Sequence, residues 1–305
     1  MPDNQSHSSY NRFQHEYADV NGVRLHYVTA GTGKLILFLH GFPEFWYMWR
    51  EQLAAFGTDH QAVAVDMRGY NLSSKPEGVD HYQIPILLED IRALAEHLGH
   101  ERFILVGHDW GGIVAWPFAA THSGYVEKLV IINAPHPAVF LRLFAHNADQ
   151  QAASQYMLMF RAPQAERILS ADDYAGLFNV LESGSNVSLS DEEKQKYIEA
   201  WSRPGALTGG LNYYRAMPVA PPAAGEKPSA DLLAVADALP RAMVRVEVPT
   251  LVIWGEQDIA LTTHNLDGLD QYIADLTVKR IPDASHWVVR EQPSLVNTLI
   301  REFIH

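Results

Sequence analysis

The sequence predicts an α/β protein: a mostly parallel sheet flanked by helices and interrupted by a mostly helical insertion. Three observations lead there. Short, continuously apolar runs recur at Leu35–Leu39, Ala62–Val65, Phe103–Val106, Leu129–Ile132 and Leu251–Trp254. Strands apolar on both faces belong in a parallel sheet covered on both sides. Stretches with helical spacing alternate with these runs, as strand–helix–strand crossovers require. Between Pro135 and about Arg245 the rhythm stops, leaving helical pieces and loops without a clear buried strand.

The elements follow in order. Tyr17–Val20 and Val23–Thr29 flank Asn21-Gly22, the strongest short hairpin signal because both turn positions need positive φ. Leu35–Leu39 is a buried strand ending at His40-Gly41. From Ile84, the apolar positions Leu88, Ile91, Leu94, Ala95 and Leu98 step by three and four residues, and Gly99 marks the helix stop. A second helix starts at Gly111-Gly112 and runs through Ala119. Ser190-Asp191-Glu192-Glu193 is a capping box opening a helix to about Ser202, ended by Arg203-Pro204-Gly205. Met217–Pro228 reads as an irregular connector. Strand-like runs return at Val244–Trp254 and Leu276–Ile281, before a closing helix at Ser294–Ile304. The chain thus divides into a first core part at 1–134, a helical segment at 135–245 and a second core part at 246–305.

Composition narrows the functions. In 305 residues, Lys and Arg total 23 against 36 for Asp and Glu, a net charge of −13. A surface so acidic repels phosphate backbones, so nucleic acid is not an expected partner. No apolar run reaches the roughly 18–20 residues that span a bilayer, and Met1–Gln14 lacks the basic-then-apolar order of a signal peptide. The expectation is a cytoplasmic protein without membrane contact. The absence of cysteine removes disulfides, thiol nucleophiles and thiolate metal sites. Despite 15 histidines, no His-Glu-x-x-His spacing occurs, and no glycine-rich phosphate loop. No metal and no cofactor are expected.

The chemistry is concentrated in Phe103–Gly112. A buried strand runs into Gly107-His108-Asp109-Trp110-Gly111 and a helix follows at once, the layout of a nucleophile elbow that exposes a reactive side chain above the sheet edge. Flanking glycines let backbone approach closely, and free N–H groups at the helix start keep a carboxylate ionised. The plainer reading is that Asp109 only caps the helix; Gly107, Gly111 and Gly112 beside it favour the elbow. A carboxylate that attacks carbon makes an ester, which an activated water must hydrolyse, and a His oriented by an acid does this. His286 follows the last strand candidate and Asp258 the preceding one. Glu256 is the nearest rival acid, while His97, His100, His122 and His146 read as surface or structural residues.

Taken with His40-Gly41-Phe42-Pro43-Glu44 and the late Asp258 and His286, in that chain order, the segment resembles the α/β-hydrolase fold. Within it, the sequence is similar to the epoxide hydrolases that use an aspartate nucleophile. The resemblance covers essentially the whole length, including Asp66-Met67-Arg68-Gly69-Tyr70. It implies that the helical segment is a cap inserted after the sixth strand. Asn71 stands where the family often has Gly, a change that left-handed backbone tolerates.

The resemblance also implies roles. Asp109 would attack an epoxide carbon, and His286, held by Asp258, would activate water on the resulting ester. Backbone N–H groups of Phe42 and Trp110 would form the oxyanion hole. In the two cap motifs, Tyr214 of Asn212-Tyr213-Tyr214-Arg215-Ala216 and Tyr156 of Tyr156-Met157-Leu158-Met159-Phe160 would give the ring oxygen its proton, with Tyr213 packing. Trp46, Met157 and Phe160, beside Phe42 and Trp110, are expected as apolar walls for a small apolar epoxide and water. Haloacetate and haloalkane dehalogenases share the aspartate, but their leaving halide needs no proton donor. They usually carry Arg after the nucleophile or Asn after His-Gly, where this chain has Trp110 and Phe42. A non-catalytic ligand-binding homologue is the third alternative, and it would be free to lose Asp258 or His286.

Overall fold

The computed structural model describes residues 13–238 and 244–305, so the reading of Met1–Gln14 lies almost wholly outside the described residues. Its strands are β1 (Gln14–Val20), β2 (Val23–Ala30), β3 (Leu35–Leu39), β4 (Gln61–Val65), β5 (Phe103–His108), β6 (Val126–Ile132), β7 (Thr250–Gly255) and β8 (Leu276–Ile281). They form one sheet in the order β1-β2-β4-β3-β5-β6-β7-β8. The β1–β2 hairpin turns at Asn21 and Gly22, both at positive φ. It joins β4 antiparallel, and every later pairing is parallel.

The apolar runs are strands because both faces are covered. Side chains alternate along each strand, so Leu37, Leu105 and Ile131 face one core with Leu94, Val114 and Phe118. These come from α2 (Ile84–His97) and α3 (Trp110–Thr121). Ile36, Phe38, Val106 and Ile253 face the other core with Leu53, Phe56, Val296 and Ile300. Those last four belong to α1 (Arg50–Phe56) and to α12 (Pro293–Ile304), which follows the short α11 (Val288–Glu291). The strand expected over Val244–Trp254 is shorter: only Thr250–Gly255 joins the sheet, and Val246 makes an isolated bridge to Ile273. Pro249, with no N–H to donate, separates the two pieces.

Between β6 and β7 come α4 (Pro137–His146), α5 (Ala148–Ala153), α6 (Tyr156–Arg161), α7 (Ala165–Glu182), α8 (Asp191–Trp201), α9 (Ala206–Ala216) and α10 (Ala230–Ala238). The capping box opens α8 as expected, with Ser190 and Glu193 bonded reciprocally. Within α7 the helix breaks where Asp172, Asp173 and Tyr174 are all left-handed. Among the side chains that seat this segment on the core, the Trp201 indole donates to the Pro43 carbonyl (2.7 Å) and the Tyr213 hydroxyl to the Arg68 carbonyl (2.8 Å). Among the described residues no helix is long and apolar enough to cross a membrane.

Candidate functional site

Asp109 sits at the end of β5 with φ +51° and ψ −123°, and its side chain makes no capping bond to α3. The carboxylate is therefore not spent on the helix. Sharp geometry here depends on glycine: a Cβ on Gly41 would overlap the Asp109 carboxylate, and one on Gly111 would overlap the Leu39 carbonyl. Asp109 Oδ1 accepts from the Phe42 N–H at 2.7 Å, and the adjoining Trp110 N–H also favours the charged carboxylate. Oδ2 is left toward His286 Nε2, 3.7 Å away. Burial raises the Asp109 pKa above the usual 3.8, against the pull of His286 and the two N–H groups.

His286 Nδ1 lies 2.6 Å from Asp258 Oδ2. That same oxygen accepts from Asn133 Nδ2 (2.8 Å), and Oδ1 accepts from the Ala260 and Leu261 N–H groups. The acid is thus fixed as an ionised acceptor, which places the imidazole proton on Nδ1. Burial disfavours the imidazolium, but the charges of Asp258, Asp109 and Glu44 outweigh it and lift His286 to about 9. Glu256, the rival acid, instead pairs with Arg280.

The loop carrying Phe42 is held from behind by His40. Burial holds His40 down at about 4, so it stays neutral. Its Nδ1 donates to the Gly41 carbonyl (2.9 Å) and its Nε2 accepts from the Met67 N–H (3.0 Å). Asn71 adopts positive φ as expected and donates to Asp66, which also accepts from the Trp46 N–H.

A cavity of about 330 Å³ brings Asp109 and His286 together with Tyr156 and Tyr214. Phe42, Met159 and Phe160 supply apolar walls, and Asn179, Ser183 and Ile259 also line it. The two tyrosine rings stand at 82° with centroids 6.2 Å apart. Burial, then the charge of Asp109, drives both phenols well above 10. The Trp110 indole, edge-on to the Tyr214 ring with centroids 5.0 Å apart, works the other way on Tyr214. Such a site can alkylate a carboxylate, protonate a leaving oxygen and hydrolyse the ester.

Three expected wall residues do not line the cavity: the Trp110 ring packs against Tyr213 and Tyr214, and two others lie elsewhere. The Trp46 ring packs against Phe13, His15 and Phe45, toward the β1–β2 side. Met157 is buried in the core, because α6 presents positions 156, 159 and 160 to the cavity and 157 falls on another side. Met159 takes the expected place of Met157. Tyr213 packs as expected. Asn133 carries no local signal, and the motifs that contain His40 and His108 do not reveal their contacts with Met67 and His286, which are remote in sequence.

The family model described as the alpha/beta hydrolase fold matches residues 34–293. "Epoxide hydrolase 2" of Caenorhabditis elegans is 35% identical over 301 residues, covering 96% of this chain and 80% of the relative. The crystal structure of a Bacillus megaterium epoxide hydrolase with an inhibitor is 37% identical and superposes with a TM-score of 0.86, covering 95% of this chain and 99% of that one. A variant of that enzyme, complexed with its product (R)-3-(1-naphthyloxy)propane-1,2-diol, is 36% identical with a TM-score of 0.83, over the same shares of the two chains. With that likeness over nearly its whole length, the chain belongs to the α/β-hydrolase family and, within it, to the epoxide hydrolases.

Proposed function

We propose that this enzyme converts an epoxide to a vicinal diol through an ester on Asp109. The observation that carries the reading is the shared cavity, in which one half-free carboxylate oxygen, one imidazole and two phenols meet. Oδ2, the oxygen not bonded to the Phe42 N–H, attacks an epoxide carbon. The C–O bond breaks, and Tyr156 and Tyr214 bind the departing oxygen and supply its proton. Esterification removes the Asp109 charge that helps hold His286 protonated and helps keep both phenols un-ionised. The same event therefore eases proton release from the tyrosines and lets His286 pass its resting proton to solvent, so that it can act as a base.

His286, oriented by Asp258, then takes a proton from water, which attacks the Asp109 carbonyl carbon. The developing oxyanion is Oδ1, already bonded to the Phe42 N–H, and the Trp110 N–H is the second donor, each worth about 10²–10³ in rate at such positions. The tetrahedral intermediate expels the diol oxygen, which takes the proton held by His286. The carboxylic acid of Asp109 re-ionises, its proton restores the phenol, and His286 regains its resting proton from solvent.

The helices between β6 and β7 act as a cap that encloses the reaction. Aromatic and aliphatic walls in about 330 Å³ suit an apolar substituent. The product held by the Bacillus megaterium relative supports aryloxymethyl epoxides as the first class to assay here.

Single turnover in ¹⁸O-water is the test. An unlabelled diol is expected, because the diol takes Oδ2 while the solvent oxygen stays on Asp109; label in that first product overturns the covalent route. His286→Ala should stop at the ester, seen as a mass increase of the intact protein.

A further inference from the structure

His108 precedes Asp109 at the end of β5 and is fully buried. Its Nε2 lies 2.8 Å from the backbone carbonyl oxygen of His286. Its ring is 4.7 Å from the His286 ring and 5.9 Å from Trp287. A carbonyl only accepts, so Nε2 carries the ring proton. Nδ1 is then bare, and among the described residues it has no hydrogen-bond partner. Burial, with the charges of His286 and Arg290, holds this ring well below 6.5 and neutral. The side chain is a fixed single donor.

We propose that His108 is a positioning residue, whose Nε2–H bond to the His286 carbonyl sets the distance between the nucleophile and the base. This rests on the reaction described above. Asp258 holds the imidazole at Nδ1 and so governs its rotation, but rotation alone does not fix how far Nε2 stands from Asp109. The separation of 3.7 Å between Nε2 and Oδ2 depends on where the backbone of residue 286 sits. The bond from His108 links that backbone to the residue next to the nucleophile. Shifts of about 1 Å in such an arrangement cost about 10²-fold in rate.

Three substitutions separate this from a packing role. Gln carries an N–H at the reach of Nε2, Asn one bond short of it, and Leu none. His108→Gln should hydrolyse the ester within about threefold of the unsubstituted enzyme. His108→Leu and His108→Asn should slow hydrolysis by about 10–100-fold, with alkylation changed far less, so that the ester accumulates in the intact mass. Melting curves accompany all three, and the Gln–Asn pair keeps the comparison if the Leu variant does not fold. Hydrolysis at the unsubstituted rate in the Leu or Asn variant, or a folded Gln variant no better than Asn, overturns the proposal. Ester trapped in His286→Ala but in neither His108→Leu nor His108→Asn overturns this proposal alone. No ester in His286→Ala overturns the reaction itself, and the proposal with it.

Discussion

Asp258→Asn isolates the second half of the reaction. In the folded protein His286 is lifted from 6.5 to about 9, and at about 1.4 kcal/mol per unit this favours the imidazolium by roughly 3 kcal/mol. Asp258 is the foremost charge behind that lift. Asn can keep only one acceptor oxygen, and the Ala260 and Leu261 N–H groups, which now donate to Oδ1, claim it. Its NH2 then meets His286 Nδ1, which must accept, and the ring proton moves to Nε2. The lone pair that takes a proton from water is lost. Ester hydrolysis should fall by about 10³-fold, within the 10²–10⁴ range that a general base contributes. Asp109 stays ionised in its N–H cradle, so alkylation should fall by less than about tenfold. Rapid mixing with excess epoxide, a quench and intact-protein mass should find most of the enzyme esterified within one steady-state turnover. A slow variant with no ester, or hydrolysis within tenfold of the unsubstituted rate, would refute the reasoning.

Three further outcomes are expected. Tyr156→Phe and Tyr214→Phe should each slow alkylation by about 10–100-fold, and the double substitution by more than about 10³-fold, in single-turnover kinetics. Gly41→Ala introduces a methyl where the Asp109 carboxylate lies; kcat should drop by about 10²-fold as the Phe42 donor is displaced, with circular dichroism monitoring the fold. Because the folded-state pKa of His286 is raised to about 9, its contribution to stability is complete below 6.5. It is lost as pH rises through about 9. Urea unfolding between about pH 6 and pH 10 should trace that decline, and His286→Ala should flatten it.

Much of the architecture was readable residue by residue. Runs such as Leu35–Leu39 and Phe103–Val106 announce buried strands, because a parallel sheet demands apolar side chains on both faces. The elbow at Asp109 was equally plain, since its strand, glycines and helix start are consecutive. Asp258 and His286 were found by their order after the last two strands. The walls were harder. Tyr156-Met157-Leu158-Met159-Phe160 is apolar throughout, so no stripe reveals which side of so short a helix turns inward, and Met157 was expected where Met159 stands. Phe45-Trp46-Tyr47-Met48-Trp49 is just as uniform, which hid the outward placement of Trp46.

The sequence by itself determined the sheet, the elbow, and which acid and imidazole could serve it, because those signals rest on neighbouring residues and chain order. Only the tertiary structure decided that Asn133 would secure Asp258, that His40 would brace the Phe42 loop, and that Oδ2 rather than Oδ1 would stand opposite His286. Each depends on an approach between segments distant along the chain. Such approaches are set by strand order and by how the inserted helices seat on the sheet, and neither is written in any local pattern.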